Sequence, residues 1–297
     1  MSSKYLFAII CILTVCVVFL VFINIKNLKI SDKDLITGSI DSGISPVSST
    51  SSKVTRKERN IIVDLPKPGE KLGSPFIIKG KAKVFENRLT IILREDNKEA
   101  ELYKESVIVD ALDINQFGNF EIKIPAPISA AGKKLILEVF NYSNEDRSAQ
   151  NLVAIPVEVT ASETMDIEAY FINNKLDLEN TCVKVFPNKR QILKTQEVAY
   201  MSLYQLIQGP NIGELSEGYD TGIPGNVRIN SVTIHDGTVF VDFDEGLEYG
   251  VAGSCRVAAI RSQIEATLKQ FPNIKNIVIS INGRTEEILI PSPTNLF

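Results

Sequence analysis

Few side chains in this sequence can carry chemistry. Among 297 residues there is one histidine and no tryptophan. His235 could serve as a general base only beside a nucleophile. It stands instead in His235-Asp236-Gly237, a turn signature between two β-like runs, with no legible Ser or Cys nucleophile near it, so a turn residue is expected. Asp242, Asp244, Glu245 and Glu248 form an acidic cluster behind a strand-like run. Paired carboxylates can act as acid and base or bind calcium. In Asp242-Phe243-Asp244-Glu245-Gly246, however, the glycine falls one position too early for an EF-hand loop, so solvated strand-end charges are expected. Zinc sites draw on several His or Cys ligands, which a single histidine nearly excludes. No Walker A or G-x-G-x-x-G pattern is present. The expectation is a protein with no catalytic residue, no cofactor and no metal.

Two of the four cysteines, Cys11 and Cys16, lie inside an apolar run, where they behave as small apolar residues. Cys182 and Cys255 remain as a pair in the polar part of the chain. They suit a structural disulfide in an oxidising compartment, against the alternative of two unrelated buried thiols. If bonded, they close a loop of about 70 residues, for which chain entropy gives roughly 4 kcal/mol at most.

The elements that position these groups start at a membrane. Residues 5–25 (YLFAIICILTVCVVFLVFINI) are apolar apart from Thr14 and Asn24. At about 1.5 Å per residue they span roughly 30 Å, the thickness of a bilayer core. The run is too long for a signal-peptide core and has no A-x-A-like site, which favours an uncleaved anchor over residues 1–27. A lipid-modified Cys16 is the alternative, but Val15 is bulky and the run continues past Cys16. Lys4 and the amino terminus on one side nearly balance Lys26 and Lys29 on the other, and the cysteine pair decides the orientation: N-terminus cytoplasmic, C-terminal domains extracytoplasmic. Residues 28–59 read as a flexible linker, with 39–52 (SIDSGISPVSSTSS) almost free of large apolar side chains. The net charge of −4, from 32 basic and 36 acidic residues, gives no single-sign field, and nucleic acid is not an expected partner.

From 60 to 161 the chain shows β-like runs at 61–65, 76–82, 88–96, 106–112, 119–125, 134–143 and 152–160. They are separated by turn signals such as Pro68-Gly69, Asp96-Asn97 and Gly118-Asn119. Seven short strands without a helical stretch predict an antiparallel sandwich of immunoglobulin type. From 165 to 297 strands alternate with helices: a strand at 166–172, a helix at 195–208 ended by Gly209-Pro210, and a hairpin of 228–234 with 238–242. A second helix follows between Ser254 and Pro272, then strands at 276–281 and 287–290. In that helix Val257, Ile260, Ile264, Leu268 and Phe271 share one side, while Arg256, Arg261, Gln263, Glu265 and Lys269 are left to water, and Ser254 is the expected N-cap. The order β-α-β-β-α-β-β predicts an α/β (α+β) layer of two helices on a mixed sheet.

Pro68-Gly69, Ser74-Pro75-Phe76, Gly80 with Ala82, and Phe85-Glu86 followed by Gly118-Asn119-Phe120 resemble the immunoglobulin-like domain attached to bacterial spore-germination proteins. Phe85 is expected in the core. The second domain resembles the sporulation and spore-germination domain called GerMN. The resemblance rests on Tyr170-Phe171, Arg190, Leu206-Ile207-Gln208-Gly209-Pro210, Gly218-Tyr219 with Thr221, Ile223-Pro224, Asp236-Gly237, Val241-Asp242-Phe243, Gln263-Ile264 with Thr267-Leu268, Phe271-Pro272 and Asn282-Gly283. It implies a non-enzymatic module of the bacterial cell envelope, similar to ring-building domains of secretion machines, acting by assembly.

The expected partners are therefore envelope proteins or further copies of this chain. The candidate contact loop is 209–226, a long connection with little periodicity carrying Gly209, Pro210, Tyr219, Thr221, Ile223 and Pro224. The alternative is a protein that binds peptidoglycan, stacking Tyr142, Tyr219 and Tyr249 on sugars.

Overall fold

The computed structural model describes residues 59–96, 98–113, 116–179 and 181–290. They belong to one compact unit, Lys57–Phe297. The expected anchor, Cys16 and nearly all of the linker lie outside the described residues. Among the described residues no helix is long and apolar enough to cross a membrane.

The first domain is an all-β sandwich. One sheet has the order β1 (Ile61–Leu65), β3 (Phe76–Ala82), β6 (Gly118–Ile124), antiparallel throughout. The other joins β2 (Glu70–Leu72), β8 (Ala149–Val159), β7 (Lys134–Tyr142), β4 (Arg88–Glu95) and β5 (Glu101–Ile108), with only β2 and β8 parallel. The strands form because their apolar residues alternate: Phe76, Ile78, Gly80 and Ala82 are buried while Ile77, Lys79 and Lys81 face out. Ile78, Leu89, Ile91, Leu93, Ile124, Leu135 and Leu137 meet between the sheets with essentially no exposure. Each such side chain contributes roughly 1.5–3 kcal/mol by leaving water. The expected strand at 106–112 lies earlier, at Glu101–Ile108. There it forms a sheet edge, where the polar run ELYKE is tolerated because one flank stays in water.

The second domain departs from two helices on one mixed sheet. Among the described residues it has three α-helices and two three-stranded sheets, β10–β9–β11 and β12–β13–β14. In chain order these are β9 (Thr164–Asn173), β10 (Phe186–Leu193), α1 (Val198–Ile207), α2 (Ile212–Ser216), β11 (Tyr219–Asp220), β12 (Ile229–His235), β13 (Thr238–Phe243), α3 (Ser254–Lys269) and β14 (Asn276–Ile281). Strand β10 carries Pro187 and four basic or amide side chains, Asn188 to Gln191, which hid it from the sequence. As an edge strand paired only with β9 it can hold a proline. The strand expected at 287–290 does not form: Glu287 and Leu289 take φ of 54° and 51°, and Ile288 and Leu289 both tuck into the core. Gly253, at φ 84°, occupies the N-cap of α3, and Ser254 is the first helical residue without a side-chain cap bond.

The two domains share packing. Leu193 of β10 belongs to the sandwich core. Tyr200 and Met201 of α1 are buried in a small cluster with Ile167 of β9 and Ile192 of β10, and Tyr200 also reaches the sandwich. The Tyr200 hydroxyl donates to Lys123 O at 2.9 Å, and Lys123 Nζ reaches Glu197 at 2.6 Å. Arg228 donates to Ser106 O at 2.6 Å. Tyr103 and Tyr204 face each other beside Glu105, to which the Tyr103 hydroxyl donates at 3.3 Å. Burial, then Tyr204 and Glu105, pushes the Tyr103 hydroxyl up. Burial is also the main reason that Tyr200 and Tyr204 are raised.

Candidate functional site

The stretch 209–226 is a built strap rather than a structureless loop. Gly209 reverses the chain at φ 74° after α1. Asn211 then caps α2 in a reciprocal box: its side chain accepts from Glu214 N at 3.0 Å, and Glu214 accepts from Asn211 N at 2.8 Å. The Glu214 carboxylate is gripped in a fork by Arg190, one arm at 2.6 Å, with both side chains only 13% exposed. Arg190 in turn stands 5.4 Å from the centre of the Phe171 ring. A five-residue helix is marginal alone, and here the cap and the forked ion pair hold it.

The other end of the strap is fixed by Gln263. This residue is completely buried instead of facing water. Its side-chain oxygen accepts from Gly222 N at 2.9 Å, and its amide donates to Thr221 Oγ1 at 3.1 Å and Tyr170 O at 3.3 Å. Thr267 of α3 and the C-cap residue Gln270 continue along β9. Tyr170 N donates to Thr267 Oγ1 at 3.1 Å, and Gln270 exchanges bonds of 2.9 and 2.7 Å with Glu168 N and O. Gln263, Thr267 and Gln270 thus take the place of a neighbouring strand along β9 beyond the two-residue pairing of β11. Burial together with the Glu168 bond pushes the Tyr170 hydroxyl up to about 12. Gly222 lies so close to α3 that a Cβ would come within 3.3 Å of Ile260.

This construction sorts the six candidate contact residues. Gly209 and Pro210 form the turn into α2. Tyr219 is half-buried against the second core, Thr221 is tied to Gln263, and Ile223 is 5% exposed. Pro224 is half-buried. The open part of the strap is α2, where Ile212 is 88% and Leu215 52% exposed, three residues apart on one side. Sequence reading passed these two over because five residues show no period. The capping box Asn211-Ile212-Gly213-Glu214 was the available signal.

The segment after β9 continues this face. Lys175 Nζ donates to Ser216 O at 2.9 Å, Asn173 Nδ2 to Glu217 O at 3.4 Å and Asn174 N to Gly218 O at 3.1 Å. Leu176 and Leu178 on that segment are 48% and 85% exposed. A disulfide between Cys182 and Cys255, with Cα atoms 5.2 Å apart, ties its far end to the first turn of α3.

The remaining candidates resolve into structural roles. His235 is exposed beside Asp236 at the hairpin turn, with Nδ1 and Oδ2 3.0 Å apart. Asp242 accepts from Ser280 Oγ at 2.6 Å, Gly283 N at 2.8 Å and Asn230 Nδ2 at 2.9 Å. Burial opposes its ionisation, but these donors together hold it below the usual aspartate range. Asp244 accepts from Arg228 N, Glu245 from Asn282, and Glu248 pairs with Arg284. Among the described residues no group of His, Cys, Asp and Glu gathers to hold a metal. Tyr142 lies on the sandwich, edge-on to Phe140, while Tyr219 and Tyr249 belong to the second domain, Tyr219 half-buried against its core and Tyr249 exposed.

Residues 168–287 match the family described as sporulation and spore germination. Residues 60–148 match the immunoglobulin-like domain of bacterial spore germination. Comparison with curated proteins finds no significant match. Among solved structures, the tandem GerMN domains of the sporulation protein GerM from Bacillus subtilis align at 22% identity and TM-score 0.32, covering 41% of each chain. The first GerMN domain of the same protein aligns at 24% identity and TM-score 0.33, over 41% of this chain and 85% of that one. A putative lipoprotein from Clostridium perfringens aligns at 19% and 0.27, over 41% and 76%. The chain thus spans about two fifths of the tandem GerM structure.

Proposed function

We propose that this is a non-enzymatic protein of the bacterial cell envelope, anchored in the membrane with both folded domains outside the cytoplasm, that works by protein–protein assembly. The observation that carries the proposal is the exposed pair Ile212 and Leu215 on a helix fixed by Arg190, Asn211 and Gln263. A short helix so firmly clamped keeps apolar side chains in water at a fixed place, which suits a surface preorganised for a partner. Leu176 and Leu178 extend that surface. The Cys182–Cys255 disulfide supports an oxidising compartment, and the apolar run 5–25 supports the anchor. The adjacent sporulation and germination family matches support an envelope role.

Chemical crosslinking of the full chain in its membrane, with recovery through the chain, tests the proposal. A discrete multimer or envelope partner is expected for the native sequence and should be lost in the Ile212→Asp, Leu215→Asp double variant. The reading fails if the double variant gives the same products, or if neither gives any. Exposure of both positions lets the double variant keep its fold, which circular dichroism verifies.

A further inference from the structure

Ile212 and Leu215 on α2 share their face with Leu176 and Leu178, on the segment that follows β9. That segment is folded against itself. Asn173 Oδ1 accepts from Lys175 N at 2.9 Å and Leu176 N at 3.1 Å, and Asp177 Oδ2 accepts from Thr181 N at 2.8 Å and Thr181 Oγ1 at 3.0 Å. Asn173 and Asp177 are themselves buried, so the two leucines stand on a fixed backbone. With Lys175 Nζ donating to Ser216 O, the segment and α2 are joined into one face before any partner arrives.

The charges around this face are unequal. Residues 173–184 and 211–220, with Arg190, carry the carboxylates Asp177, Glu179, Glu214, Glu217 and Asp220 against Lys175, Lys184 and Arg190. The cations are occupied: Arg190 forks Glu214, Lys175 serves Ser216 O, and Lys184 Nζ stands 5.8 Å from the Phe186 ring centre. Glu179, Glu217 and Asp220 are exposed, and among the described residues none of the three has a cationic partner. Glu179 follows Leu178 directly, Glu217 is the C-cap of α2 two positions past Leu215, and Asp220 pairs with Ile172 just before the segment begins. Three uncompensated carboxylates thus border four exposed apolar side chains.

We propose that this face receives a basic amphipathic segment of another protein, with apolar side chains on one side and Lys or Arg beside them. The inference rests on the contact reading of the proposed function and adds the chemistry of the partner. Charge complementarity selects the occupant. The segment's apolar side chains cover Ile212, Leu215, Leu176 and Leu178, and its cations meet Glu179, Glu217 and Asp220. A two-fold contact with the same face of a second copy instead sets the acidic borders against each other. The same carboxylates are repelled by an anionic bilayer.

A photoreactive residue at position 212 of the full chain in intact cells, with mass spectrometry of the peptide attached to it, tests the inference. The expected peptide comes from another protein, carries net positive charge and spaces its apolar residues three or four apart. The measurement is repeated with Glu179→Gln, Glu217→Gln and Asp220→Asn together, which keep side-chain size and remove the three charges. The yield should fall about five-fold. Asp64→Asn, Glu99→Gln and Glu145→Gln, exposed on the sandwich, should leave it unchanged. All six positions are exposed, so both sets keep the fold, which circular dichroism verifies. A neutral or acidic peptide, or one from this chain, overturns the basic partner and leaves the contact face standing. The same yield from both sets of changes does so too. No product at 212, or a lipid adduct, overturns the contact reading and the inference together.

Discussion

Gln263 accepts the amide of Gly222 at 2.9 Å through a completely buried side chain, joining the middle of α3 to the strap that carries the candidate contact face. The same side chain also satisfies Tyr170 O, so one residue serves two backbone groups on two elements. Gln263 thus fixes the far end of the strap, while Arg190 and Asn211 hold α2 itself.

Gln263→Leu keeps the volume and removes all three bonds, two of them to backbone groups. A buried backbone group without a partner costs about 1–3 kcal/mol, so the variant should lose about 2–4 kcal/mol in urea denaturation. Hydrogen exchange should rise at 219–223. A loss below about 0.5 kcal/mol would remove Gln263 from its role as a pin.

The Arg190–Glu214 fork predicts a more local effect. With both side chains 13% exposed, Glu214→Ala leaves the largely buried Arg190 without its partner, and about 2–3 kcal/mol should be lost. Exchange should accelerate at 212–216 while α3 stays protected. Unchanged protection of α2 would mean that the helix is held by other contacts.

The disulfide closes a separation of 73 residues. Chain entropy places its contribution at about 4 kcal/mol as an upper figure, so Cys182→Ser should lower stability by up to that amount. Reductant should reproduce the loss in the native chain and change nothing in the variant. In cells, acid quenching and thiol alkylation should find the pair oxidised. A fully reduced pair would contradict an oxidising compartment.

The seam between the domains is sensitive to alkali. Tyr103, Tyr200 and Tyr204 have folded-state pKa values above the ordinary tyrosine value, chiefly through burial. A raised value means that the folded state keeps protons that the unfolded state releases. Stability is then fully present below pH about 10 and falls as pH rises beyond it. Denaturation midpoints should decline above pH about 10, and Tyr200→Phe, lacking one ionising hydroxyl, should flatten the decline. An unchanged slope would show that these hydroxyls titrate in water.

Much of the architecture was legible because burial follows period. Ile78 and its alternating neighbours, and Ile260, Ile264 and Leu268 on α3, were placed by spacing alone. What escaped depends on distant parts of the chain. Gln263 looked like a solvent residue because the strand edge it serves lies about 90 positions earlier. Tyr200 is buried partly by the other domain, whose Lys123 O accepts from its hydroxyl, and no helical wheel contains that domain. Phe85 is turned outward by two left-handed residues whose constraint comes from 109–111. Ile212 and Leu215 sit on a helix too short to show a period.

The central claim, that α2 presents a partner surface, is tested most directly by a photoreactive residue at position 212 of the full chain in intact cells. Lys269, exposed on α3, is the matched control. The account predicts a discrete crosslinked product from position 212 and none from 269. No product at 212, or the same product at both positions, would contradict it.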